Sequence, residues 1–252
     1  MSTVPRTYLF DLPAAGRPET FRLTEEWYPG VRDYWAEAST SRIVDPILGV
    51  RAIVIHATPS ASSAGAMSAL KGHRASWHWL VPDETEDEHG RFAWACIPEA
   101  RAAWHVRNDK SNPTVNAGKT RVNHWSLGVE IVNTRANGST NPFSDWQVQM
   151  TADIVRYCWA KYPNLKHVVA HAALDPLLRT DPGSHFPWQT FRELVLSSGG
   201  NELAMPKHEK VVPMGLLPTS SSDICWQDGM RLVAKSAATA HQHRRRLHGR
   251  AK

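Results

Sequence analysis

The chain has 252 residues, 42% of them hydrophobic and 21% charged, which suits a single folded core with appendages and excludes wholesale disorder. Its net charge of +5 resides in residues 201–252, where nine basic residues face four acidic ones, while the first 200 residues carry twenty of each sign. A neutral body offers no footprint for a phosphate backbone, so no nucleic-acid partner is expected. No apolar run approaches the ~20 residues of a membrane helix. The opening run to Phe10 breaks at Asp11 and Pro13, too early for a signal-peptide core, and a cytoplasmic location is expected. Cys96, Cys158 and Cys225 are odd in number and widely spaced, against a disulfide framework or a Cys-rich zinc site.

In chain order, residues 1–50 show little periodicity and read as an irregular lead-in with one short helix. Arg51 to Ala57 is a short β-branched run that reads as a buried strand, and Ala64 to Lys71 as a helix. Trp77 to Val81 and Phe92 to Ile97 read as strands joined by an acidic turn. Residues 107–124, polar and broken by Pro113 and Gly118, form a long loop. From Ser126 to Asn133 the pattern alternates, with Leu127, Val129 and Ile131 on one face and Glu130 on the other. Ser144-Asp145-Trp146-Gln147 is a capping-box signature, and Val148, Ala152, Val155 and Trp159 follow at helical spacing. His167 to His171 reads as a strand and Pro187 to Leu196 as a closing helix, giving an α/β (α+β) architecture over residues 51–197. From Ser198 through Gly199-Gly200 to the end runs a basic extension, residues 198–252, of unknown fold.

Two histidines close strands: His56 after Ile53-Val54-Ile55, and His171 after Val168-Val169-Ala170. Asp181 follows ten residues after His171, before a Pro182-Gly183 turn that fixes its direction. Two imidazoles and one carboxylate suit zinc with a fourth position left open for water. Taken singly, a histidine at a strand end is more often a satisfied core or surface group than a ligand.

Together with Glu130, these segments resemble the zinc-dependent N-acetylmuramoyl-L-alanine amidase and peptidoglycan recognition protein superfamily. The matching pieces are Ile53 to His56, Ser76 to Val81, Ala103-Trp104-His105, Asn123 to Asn133, Val169-Ala170-His171, and Arg179 to Gly183 followed by Phe186-Pro187-Trp188. They occur in the family's order over roughly residues 50–197. The resemblance implies a mixed central β-sheet flanked by helices, with a zinc-floored groove. It implies one Zn2+ per chain on His56, His171 and Asp181, with Glu130 as the general base and acid. The reaction implied is hydrolysis of the amide joining N-acetylmuramic acid to L-alanine, in peptidoglycan or muramyl-peptides.

Arg179 stands where the family usually has a lysine, and an arginine there can stabilise negative charge without donating its proton. Ala173 replaces an acid common in related sequences, and Trp77 stands where some relatives carry tyrosine. Substrate contacts are expected from Arg121, Asn123, Trp77 and His105, with Arg121 suited to a peptide carboxylate. The tryptophans of the motif segments could stack on a sugar or belong to the core.

The rival is a peptidoglycan-binding module on the same fold that recognises without cutting. The setting is a cytoplasmic recycling enzyme or a phage-type lysin released through a separate pore, and a monomer is expected. A basic helix in the tail would suit weak contact with an anionic envelope; a solvated, frayed terminus is the alternative.

Overall fold

Apolar and β-branched runs form the centre of the sheet because both of its faces are covered. The computed structural model describes residues 8–19, 21, 37–86, 93–134 and 141–197. Its strands are β1 (Leu9–Asp11), β2 (Ser39–Ser41), β3 (Ala52–Thr58), β4 (Trp79–Val81), β5 (Trp94–Ala95), β6 (Arg101–Ala103), β7 (Ser126–Val132) and β8 (His167–Ala170). The helices are α1 (Ser63–Lys71), α2 (Asp145–Lys161), α3 (His171–Leu174) and α4 (Trp188–Leu196).

Among the described residues six strands make one mixed sheet in the order β1-β8-β3-β7-β4-β5, and β2 with β6 makes a separate pair. The central strands β8, β3, β7 and β4 run parallel, and the edge strands β1 and β5 are antiparallel to their neighbours. The alternation read along β7 is present on β3 as well. Ile53, Ile55, Leu127, Val129 and Ile131 share one face and pack on Val148, Ala152, Val155 and Trp159 of α2 and on Phe191 and Val195 of α4. On the opposite face Ala52 and Val54 meet Val122 and Trp125.

Helix α2 starts where its capping box predicts. Ser144 Oγ accepts from the Gln147 N–H at 3.1 Å, and Gln147 Oε1 accepts from the Ser144 N–H at 3.3 Å. The lead-in is more ordered than its composition suggests. β1 supplies a sheet edge, with Leu9 opposite Val169, and β2 pairs with β6. Three-residue strands carry too little periodicity to be read locally; their partners define them. Arg42 then fastens the lead-in to the body, donating to the carbonyls of Glu99, Asn123 and His124 at 3.0, 3.1 and 2.9 Å.

The strands read over residues 77–81 and 92–97 are shorter, beginning at Trp79 and ending at Ala95. Cys96 and Cys158 are buried free thiols. No helix among the described residues is long and apolar enough to cross a membrane. Residues 22–36, part of the acidic turn and the basic extension from residue 198 lie outside the described residues.

The cap lies at the start of α2, in a helix that packs on the sheet face opposite His56 and Glu130. Ser144→Ala is expected to lower unfolding free energy by about 1 kcal/mol in urea titration. An unchanged midpoint and slope would show that the cap contributes nothing.

Candidate functional site

Parallel pairing brings the candidate residues to one edge of the sheet. His56 on β3 lies in register with Glu130 on β7. Ile55 lies opposite Ala170, the last residue of β8, so His171 enters α3 beside the end of β3. Paired residues on neighbouring strands point to the same face, so His56 and Glu130 both leave the sheet away from the α2 core. Carboxyl ends of parallel strands are the usual place for a ligand site in such sheets. Asp181 is brought in by its loop, whose carbonyl accepts from the Ala172 N–H at 3.0 Å. Gly183 then takes a φ of 95°, which lets the chain turn away sharply.

Three side-chain atoms converge there. His56 Nδ1 and His171 Nδ1 are 3.0 Å apart, and Asp181 Oδ2 lies 3.1 Å from the first and 3.0 Å from the second. All three residues are buried. Each ring nitrogen carries at most one proton and a carboxylate carries none, so hydrogen bonds can satisfy at most two edges of this triangle. One cation facing all three atoms satisfies them together. The separations approach the roughly 3.3 Å between neighbouring ligands of a tetrahedral ion bound at about 2.0–2.1 Å.

Burial pushes the His56 ring down to about 4, with His171 acting in the same direction and Asp181 opposing. For Asp181 burial works against the charge, but His171 and His56 outweigh it and hold the carboxyl well below the usual carboxylate range. A neutral His56 ring and an ionised Asp181 carboxylate are protonation states that metal binding requires. His171 Nε2 is buried without a hydrogen-bond partner.

Beside the triangle runs a groove of about 540 Å3. Glu130 lines it while only 8% exposed. Burial raises its pKa well above the usual value, Asp181 raises it further, and Arg179 opposes both. Arg179 lines the groove and is exposed. Of the five tryptophans in the motif segments, Trp77, Trp79 and Trp125 are buried in the core clusters, Trp77 also bordering the groove, and Trp104 and Trp188 are half-buried.

Arg121 and Asn123 do not line it. Asn123 is committed to the backbone: its Oδ1 accepts from the His105 and Val106 N–H groups, and its Nδ2 donates to the Val106 carbonyl at 2.7 Å. Arg121 is exposed and holds a left-handed φ of 55°. Sequence reasoning missed Arg74, an exposed cation just beyond α1 that does line the groove. Its place shortly before Trp77 and His78 was the available signal, but nothing local distinguishes it from a solvated arginine.

A profile of the N-acetylmuramoyl-L-alanine amidase family matches residues 46–184. N-acetylmuramoyl-L-alanine amidase AmiD of Escherichia coli K12 is 31% identical over 147 residues, 56% of this chain and 51% of AmiD. The 1,6-anhydro-N-acetylmuramyl-L-alanine amidase AmpD of Salmonella typhimurium LT2 is 32% identical over 108 residues, 42% of this chain and 53% of AmpD. The chain therefore spans about half the length of these curated relatives. The crystal structure of AmpDh3 from Pseudomonas aeruginosa shares the fold, with a TM-score of 0.53 at 24% identity over 61% of this chain and 63% of that one.

The triangle is expected to bind one divalent ion per chain after chelator treatment and dialysis against metal, measured by elemental analysis. Asp181→Ala should abolish stoichiometric uptake, because two buried imidazoles alone leave the charge unneutralised. Equal uptake by the variant would place the ion elsewhere.

Proposed function

Because this chain belongs to the N-acetylmuramoyl-L-alanine amidase family, we propose that it is a zinc hydrolase cutting the amide between N-acetylmuramic acid and L-alanine. Its substrate is peptidoglycan or a muramyl-peptide derived from it. The observation that carries this reading is the meeting of a three-ligand triangle and a buried carboxylate in one groove. A module that only bound the wall would have no use for either.

His56, His171 and Asp181 hold the ion, and two neutral imidazoles with one carboxylate leave that centre near a net charge of about +1. When bound, zinc supplies Lewis acidity to water and to the scissile carbonyl. Glu130 takes the proton from the attacking water as the new C–O bond forms. The C–N bond then breaks, and Glu130 delivers the proton to the departing L-alanine nitrogen. Its raised pKa suits both halves of that transfer, because the carboxyl can hold the proton between them.

Arg179 stabilises negative charge developing on the carbonyl oxygen. It acts by electrostatics alone, since a guanidinium does not give up its proton. Among the described residues Arg74 and Arg179 are the arginines that line the groove, and Arg179 is the one that acts on Glu130, which leaves Arg74 for the substrate. As an exposed cation on the groove, it is placed to meet a carboxylate of the peptide.

Glu130→Gln is expected to reduce kcat by about 10²–10⁴-fold with zinc content unchanged. Release of a peptide with a free L-alanine amino terminus, followed by mass spectrometry on sacculi and on a soluble muramyl-tripeptide, is the assay. Binding without cleavage by zinc-replete wild type would instead identify a recognition module. Arg179→Ala should lower kcat and leave zinc content intact, whereas Arg74→Ala should chiefly raise KM. An unchanged kcat in the first removes Arg179 from the reaction.

A further inference from the structure

We infer that His105 is a positioning residue for the metal site: with Ser126 it keeps the proton of His56 on Nε2 and the Nδ1 lone pair turned into the ligand triangle. This rests on the zinc reading above and assigns to His105 a role other than substrate contact.

A line of hydrogen bonds starts at a backbone carbonyl and runs to the metal site. Ser126 Oγ lies 2.7 Å from the Val122 carbonyl oxygen. Two oxygens this close share a proton, and a carbonyl has none to give, so the hydroxyl donates. Ser126 Oγ then accepts from His105 Nε2–H at 3.2 Å. His105 is buried, and among the described residues its two ring nitrogens meet a hydroxyl and an imidazole rather than a carboxylate, so a charged ring would have no counter-ion there. A neutral ring carries one N–H, so with Nε2 as donor the Nδ1 of His105 is an acceptor. It stands 3.0 Å from His56 Nε2, which must donate. His56 is thereby left with a bare Nδ1, the atom 3.0 Å from His171 Nδ1 and 3.1 Å from Asp181 Oδ2. Four groups in line thus set the tautomer of a ligand.

Two neighbours on the chain help to locate His105. Gly128 on β7 leaves room for its ring: a Cβ there would stand 2.8 Å from His105 Cγ, closer than packed atoms allow. Asn123 pins its backbone N–H. The ring stands perpendicular to His56, with centroids 5.2 Å apart. Both of its nitrogens are spent on protein partners, so although it borders the groove it presents no nitrogen to a substrate. An acceptor behind a ligand histidine restrains the ring and makes its metal-facing nitrogen more basic, which raises metal affinity.

The test measures zinc affinity by competition with a chromophoric chelator, and histidine tautomers in the zinc-free protein by two-bond 1H–15N correlation spectra. His105→Phe keeps the ring's bulk without an acceptor and is expected to weaken zinc binding about 10–100-fold with little change in KM. His105→Asn, whose side-chain oxygen can take the place of Nδ1, should recover part of that loss. Ser126→Ala should weaken zinc in the same direction and release His105 from the Nε2–H form. In wild type, His105 and His56 should both appear as Nε2–H tautomers. Unchanged affinity in His105→Phe overturns the inference, as does an Nδ1–H tautomer at His56. If His105→Phe does not fold, Ser126→Ala decides the matter, and unchanged affinity there overturns it. Wild type that takes up no zinc would defeat the zinc reading and this inference together, whereas tight, equal binding in every variant would defeat this inference alone.

Discussion

The parallel register of β3 with β7 and β8 is the constraint on which the site depends. It sets His56 beside Glu130 and delivers His171 at the neighbouring strand end. A slip of one residue in either pairing would turn these polar groups into the α2 core and the apolar residues outward. The packing of Ile53, Ile55, Leu127, Val129 and Ile131 against α2 and α4 therefore aims the polar side chains as well as contributing stability. Burial of one face determines the chemistry of the other.

That placement sets the electrostatics. Glu130, His56, His171 and Asp181 sit within a few residues' width of one another in surroundings that penalise charge. Their environments drive two carboxyl groups apart: Asp181 is held ionised between two imidazoles, while Glu130, without such partners, is pushed toward its protonated form. One acid is suited to hold a cation and the other to carry a proton, and the difference follows from the neighbours each meets, Asp181 on its loop beside the two histidines and Glu130 within β7.

Much of this was legible in the sequence because it rests on short-range pattern. The alternation over Ser126–Val132 gave both the strand and the opposite facing of Glu130, and the capping box marked the start of α2. His56 and His171 stood out because each closes an apolar run. The resemblance then joined positions that spacing alone leaves separate. What escaped depends on contacts between distant segments. β1 and β2 are strands only because β8 and β6 pair with them. Arg74 is a groove residue only because the loop after α1 returns to the sheet edge. His105 and Asn123 read as substrate contacts from their motif, yet hydrogen bonds to His56, Ser126 and the backbone engage them instead.

The account stands on His56, His171 and Asp181 gathering about a single zinc ion. Zinc-edge X-ray absorption of reconstituted protein examines that directly. The account predicts a four-coordinate shell of two imidazole nitrogens and oxygen ligands at about 2.0–2.2 Å. A sulfur scatterer near ~2.3 Å, or a shell without imidazole, would contradict it.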